Sequence, residues 1–194
     1  MKSGIYNYSE IGKLNRVLLH RPGREIEALT PATMERLLFD DVPFLKAAQE
    51  EHDAFANVLR NNGVEVLYYE RETAKALRNR AIREEFINEM MELSFIESEG
   101  MKHAIHNFLM KLTPEKMVEE IIAGIKREEL GDVKTDSLSD LAQNEYPFIM
   151  DPMPNLYFTR DPGACVGDGI SIHHMNTVAR RRESLLLRYM YQYN

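Results

Sequence analysis

A single cysteine, Cys165, stands among the 194 residues. It leaves no intramolecular disulfide and no all-cysteine zinc site, and such usage suits a reducing compartment. Basic charge is also short, with 24 Lys and Arg against 31 Asp and Glu and a formal charge of −7. A general nucleic-acid binder would carry a basic face, so nucleic acid is not an expected partner. No apolar run approaches a membrane span, and Met1-Lys2-Ser3-Gly4 opens without a hydrophobic signal region. A soluble, cytoplasmic protein with no membrane partner is expected. There is no glycine-rich phosphate loop of either familiar type and no low-complexity tract. What is there, 44% hydrophobic and 28% charged, suits one large domain or a domain with an insertion. A chain of this size can bury a core without disulfides or metal.

Three stretches differ in character. Residues 1–70 alternate between strand and helix patterns. Arg16-Val17-Leu18-Leu19-His20 reads as a strand stopped by Pro22-Gly23. Thr30-Pro31 opens a short helix reaching Leu38. A longer helix over 43–61 aligns Phe44, Ala48, Phe55, Val58 and Leu59 on one face, ending at Asn61-Asn62-Gly63. Residues 64–69 then read as a strand, and strand, helix, strand with short joints predicts a parallel pair with a crossover. Over 71–145 strand signals vanish and helical runs replace them, at 74–97, 102–112 and 118–130. Thr113-Pro114-Glu115 is a good helix opening. With 16 acidic against 11 basic side chains, the stretch reads as an inserted helical bundle with a solvated surface. Residues 146–194 return to a β-rich pattern: a strand over 156–159, a tight hairpin about Gly167-Asp168-Gly169, and a helix from Ala179 to the end.

The chemistry concentrates in Asn155-Leu156-Tyr157-Phe158-Thr159-Arg160-Asp161-Pro162. On a strand, Asn155, Tyr157 and Thr159 face one way and Leu156, Phe158 and Arg160 the other. Asp161, at the strand end, can receive a planar guanidinium, whose paired N–H donors match two carboxylate oxygens. The plainer alternative is an Asp capping the turn before Pro162-Gly163. Arg180-Arg181-Arg182-Glu183 places three cations against the positive end of a helix, which hints that one of them grips an anion. The plainer alternative there is a solvated first turn with Glu183 compensating. His103 and His106 share a helix face but lack a third metal ligand nearby. His173-His174 reads as loop, and Cys165 as a small strand residue without a His beside it.

The segment 155–162 resembles that of bacterial arginine deiminases, guanidine-modifying hydrolases of the pentein superfamily. The resemblance runs through several motifs in order: residues 9–19 with His20-Arg21-Pro22-Gly23, then Leu29-Thr30-Pro31 with Leu37-Leu38-Phe39-Asp40-Asp41, and Ala179-Arg180-Arg181-Arg182-Glu183. It implies an α/β fold, a β/α propeller of five modules, with the first module at 1–70, the helical insertion at 71–145 and the start of a second module at 146–194. It implies hydrolysis of a C–N bond in a linear amidine, L-arginine and water giving L-citrulline and ammonia, without metal or organic cofactor. A Cys thiolate attacks the guanidinium carbon, ammonia leaves, and water resolves the adduct. By position, Asp161 resembles the catalytic, guanidinium-binding carboxylate; Asn155, Phe158 and Leu38 match pocket residues; and Arg180 matches the ligand of the α-carboxylate, with Arg182 the alternative.

The family's His-x-Asp motif and late nucleophilic Cys have no counterpart here: His173 is followed by His174 and Met175. The chain therefore reads as the N-terminal part of such an enzyme, inactive by itself, from a homo-oligomeric parent. The helix reaching Asn194 without a cap agrees with a cut, and missing modules would leave strand edges and apolar faces uncovered. The alternatives are a non-catalytic arginine-binding module of the same fold and another guanidine-modifying enzyme such as an amidinotransferase.

Overall fold

The computed structural model describes residues 4–131 and 146–194. Readings made on residues 1–3 and 132–145, the opening residues and the tail of the helical stretch, lie outside the described residues. The chain begins with the expected parallel pair. Strand β1 (Arg16–Leu19) runs beside β2 (Glu65–Tyr68), in a register that sets Leu19 against Tyr68. The crossover carries α1 (Arg24–Glu27), α2 (Met34–Leu37) and α3 (Leu45–Asn61). Helix α3 ends as its sequence demands, with Gly63 at φ 78° and the Val64 N–H donating to the Leu59 carbonyl over 3.1 Å.

The face of α3 departs from its pattern. Phe44, Phe55 and Val58 are exposed, and the buried side chains are His52 and Ala56. Periodicity says which residues share a strip, not which part of it is covered. The two-stranded sheet meets the flank of that strip instead, where the His52 ring lies 6.0 Å from that of Tyr68 in β2.

The strand expected over 64–69 stops one residue early. Tyr69, fully buried, opens α4 (Tyr69–Ala76) directly after β2. The single helix expected over 74–97 is broken. Asn79 accepts from the Ala81 N–H and caps α5 (Arg80–Leu93), and Ser98 caps α6 (Glu99–Met110). Helix α7 (Pro114–Ala123) starts as read, with Thr113 Oγ1 accepting from the Lys116 N–H and Pro114 in the first turn. It ends at Gly124, φ 85°, where an added Cβ would lie 2.7 Å from the Pro152 nitrogen. The chain then enters β3 (Ile125–Lys126), antiparallel to β4 (Phe148–Met150). The stretch 71–145 is therefore not free of strand. A two-residue strand leaves no alternation to read, and its partner is distant in sequence.

After β4 the expected strand over 156–159 is absent. Pro154–Tyr157 forms one turn of 3₁₀-helix instead, because Pro152 and Pro154 withdraw two ladder donors and Pro154 suits the first turn of a helix. The hairpin is as read: β5 (Gly163–Val166) pairs antiparallel with β6 (Gly169–Ile172) across Gly167 at φ 62°. Asn7 pairs with Gly167 and ties the N-terminal arm to this hairpin. A 3₁₀ turn (Val178–Arg180) leads into α8 (Arg181–Tyr193), which packs on α4 and α5.

The fold is thus mixed α/β. The described residues hold three two-stranded sheets and no closed barrel. One core joins Tyr69, Phe86, Met90, Ile105, Ile121, Leu156, Leu186 and Tyr189. A small satellite of Ile26, Leu29 and Leu37 fixes α1 against α2. Among the described residues no helix is long and apolar enough to cross a membrane.

Candidate functional site

The replacement of strand by turns decides the geometry of the site. Phe158 N–H donates to the Asn155 carbonyl and Asp161 N–H to the Phe158 carbonyl, each over 3.0 Å. At about three residues per turn, residues three apart lie on one side. Asn155 and Phe158, placed on opposite faces by the strand reading, therefore join Asp161. Asn155 is buried, and its Nδ2 donates to the Leu37 carbonyl over 2.7 Å. Arg36 reaches across to Asp151, with Nε 3.0 Å and Nη2 2.9 Å from Oδ2. These two tethers draw the end of α2 to the segment 151–155. There Leu38 sits at φ 62°, a left-handed conformation that costs a non-glycine residue about 1 kcal/mol. Its side chain is exposed.

Arg180 approaches from the turn before α8. Its Nη1 donates to Asp161 Oδ2 over 2.8 Å and its Nη2 to the Asn155 carbonyl over 3.2 Å. The other edge of the guanidinium grips Glu183, with Nε 3.0 Å from Oε1 and Nη2 2.8 Å from Oε2. Phe158 lies beside the same guanidinium, its ring centroid 6.0 Å from Cζ. Burial works against the charge on Arg180, but Glu183 and Asp161 outweigh it and raise its pKa. Glu183 is pushed up by its own burial, with Arg180 opposing. The side chains of Arg180 and Glu183 are 13% and 1% exposed, and that of Asp161 is 48% exposed. The cluster is anchored on its inner side and open at Asp161.

Four of the five sequence-selected residues, Asn155, Phe158, Asp161 and Arg180, are thus joined by direct contacts, and Leu38 adjoins through the Asn155–Leu37 bond. Arg182 goes elsewhere: it is fully enclosed, with Nη2 donating to the Asp151 carbonyl over 2.6 Å. Glu183, read only as a compensating surface charge, is the buried anchor. His173 lies closer than its loop reading suggested, its Nδ1–H donating to the Asp161 carbonyl over 2.8 Å. Cys165 stays on β5, half-buried. Burial and its contact with the Cys165 thiol push the Tyr191 phenol up to about 12. His103 is exposed, and no group of three or more potential metal ligands occurs among the described residues.

A second charged cluster escaped the sequence reading. His20, just past β1, is buried with Nε2 3.1 Å from Glu25 Oε1 and Nδ1 paired with Glu70. Burial alone would favour the neutral ring, but the two carboxylates overcome it and the pKa is pushed up to about 9. Beside it opens a groove of about 610 Å³, where Arg21 makes a bidentate pair with Asp53 at 2.8 Å. The signal was His20-Arg21-Pro22-Gly23 itself, in which the histidine ends a strand.

The sequence profile described as arginine deiminase matches residues 35–194. This chain belongs to the arginine deiminase family. An arginine deiminase of Limosilactobacillus fermentum is 51% identical over 98% of the chain and 47% of its own length. That of Streptococcus uberis is 49% identical over 99% of the chain and 48% of the relative. That of Clostridium perfringens is 50% identical over 96% and 46%. The chain spans about half the length of the curated arginine deiminases it matches.

Proposed function

We propose that this chain supplies the substrate-binding wall of an arginine deiminase, which converts L-arginine and water into L-citrulline and ammonia. The observation that carries the reading is the contact of Asp161, Arg180 and Phe158 on a buried Glu183 anchor. Asp161 offers a carboxylate that already holds one guanidinium, and the substrate guanidinium takes that place with Phe158 against its flat face. Arg180 turns to the substrate α-carboxylate. Asn155, fixed by Leu37, and Leu38 shape the rest of the wall. The nucleophilic cysteine and the His-x-Asp pair of the full-length enzyme come from sequence outside these 194 residues. The same proposal makes 1–70 and 146–194 the first and the beginning of the second module of a five-module propeller, with 71–145 inserted between them. It also makes the parent a cytoplasmic homo-oligomer. The parallel β1–β2 pair with its helical crossover supports the modular part.

Calorimetric titration with L-arginine tests the wall, and a citrulline assay tests the division of labour. Binding that is lost in Asp161→Asn, with no citrulline formed by the chain alone, is the expected result. Citrulline production abolished by Cys165→Ala would overturn the assignment of the nucleophile, and arginine binding indifferent to Asp161→Asn would overturn the site.

A further inference from the structure

Taking Asp161 as the guanidinium site, we infer that Arg180 is an internal stand-in for the substrate guanidinium, which competes with every guanidinium ligand for Asp161. The inference rests on the reading proposed above and adds an internal competitor to it. Arg180 Nη1 is the atom in contact with Asp161 Oδ2, at 2.8 Å. The opposite edge, Nε and Nη2, is committed to a carboxylate whose side chain is 1% exposed. Nη1 is therefore the part of Arg180 with a solvent-accessible partner to exchange. Phe158, beside the same guanidinium, completes a site occupied by the protein's own side chain.

In arginine, three methylenes and Nε separate the guanidinium from the α-carbon. Asp161 and Arg180 cannot stay in contact and also hold opposite ends of one arginine. Binding must open the pair and place the ligand between them. A guanidine with an α-carboxylate breaks one ion pair and makes two: guanidinium with Asp161, and carboxylate with Arg180 Nη1. A guanidine without the carboxylate breaks one and makes one, and leaves Nη1 without its anion. The internal pair thus taxes every guanidinium ligand equally and refunds only those that carry the second charge. The broken contact lowers the affinity of both ligands, and the carboxylate contact sets the difference between them.

The test is a titration of the 194-residue chain with L-arginine and with 4-aminobutylguanidine, its decarboxylated form. Wild type should prefer arginine by about ten-fold or more, one ion pair's worth of discrimination. In Arg180→Met combined with Glu183→Gln, which leaves no orphaned buried carboxylate, arginine should weaken by no more than about three-fold, because loss of the carboxylate contact is largely offset by loss of the competitor. In the same variant 4-aminobutylguanidine should tighten several-fold, since Asp161 no longer has a competitor. Arg180→Lys, which keeps a charge against Glu183 but presents a single-point donor to Asp161, should move both affinities in the same directions by less. Circular dichroism confirms that each variant is folded. A variant that binds arginine less well and 4-aminobutylguanidine no better overturns the stand-in and leaves the proposed site intact. Failure of wild type to bind either ligand, or arginine binding unchanged in Asp161→Asn, overturns the site and the stand-in with it.

Discussion

The two charged clusters share one plan and differ in how far their outer carboxylate is exposed. Each sets one cation between two carboxylates: His20 between Glu25 and Glu70, Arg180 between Asp161 and Glu183. In the first, the His20 and Glu25 side chains are each 2% exposed and that of Glu70 21%. In the second, one carboxylate is sealed and the other lies half in solvent. A sealed ion is expensive to leave unpaired, so a closed cluster fixes structure. An open carboxylate is cheap to release, because water takes over when its partner leaves. On the proposed reading, exposure rather than charge divides the strut at His20 from the site at Asp161.

That comparison is broken most severely at His20. Replacing it by Ala leaves Glu25 and Glu70 facing each other at the junction of β1, α1 and α4. The expected cost is about 3–5 kcal/mol in urea unfolding, the range for an orphaned buried charge. A loss under 1 kcal/mol would mean the cluster is no strut. The same residue sets a pH dependence. Its folded pKa, about 9, lies above the ordinary histidine value of 6.5, so the folded state holds the extra proton between those values. The stabilisation is complete below pH 6.5 and is lost as pH rises through 9, on the order of 3 kcal/mol in all. His52, whose pKa burial depresses, stays neutral across this window. Unfolding midpoints from pH 6 to 10 should fall in wild type, and in His20→Gln the decline should flatten.

Local signals carried much of this architecture, and partners distant in sequence decided the rest. The β1–β2 pair, the hairpin at Gly167 and the Thr113 cap were legible because each is written in consecutive residues. The turn at 154–157 was not, since Leu156 and Phe158 alternate as well in a strand. Two prolines and the bond from Asn155 to Leu37 settle it. Asp161 and Arg180 were each visible as candidates, yet their contact depends on where the hairpin returns the chain. The position of Glu70 beside His20 depends on the register of β1 against β2, which side-chain patterns leave open.

A smaller break is available inside the second cluster. Glu183→Ala removes the buried acceptor of the Arg180 Nε and Nη2 bonds and leaves that edge facing a cavity. About 2 kcal/mol of stability should go, less than at His20 because Arg180 keeps Asp161 and the Asn155 carbonyl. Equal losses at Glu183 and His20 would show that the open side of the cluster carries no part of its energy.

The smallest expected effect on stability falls at the residue expected to matter most for binding. Asp161 is about half exposed and gives up a single ion pair when replaced by the isosteric Asn, so unfolding free energy should change by no more than about 0.5 kcal/mol. Arginine binding should disappear in the same variant, because an amide brings an N–H donor where the guanidinium needs an acceptor. Stability and binding would then be carried by opposite ends of one cluster, Glu183 inside and Asp161 outside. A destabilisation of 2 kcal/mol or more at Asp161, with urea and calorimetry run on the same preparation, would instead make its pair with Arg180 a strut like that of His20. The distinction drawn from exposure would then fail at the place where it is most needed.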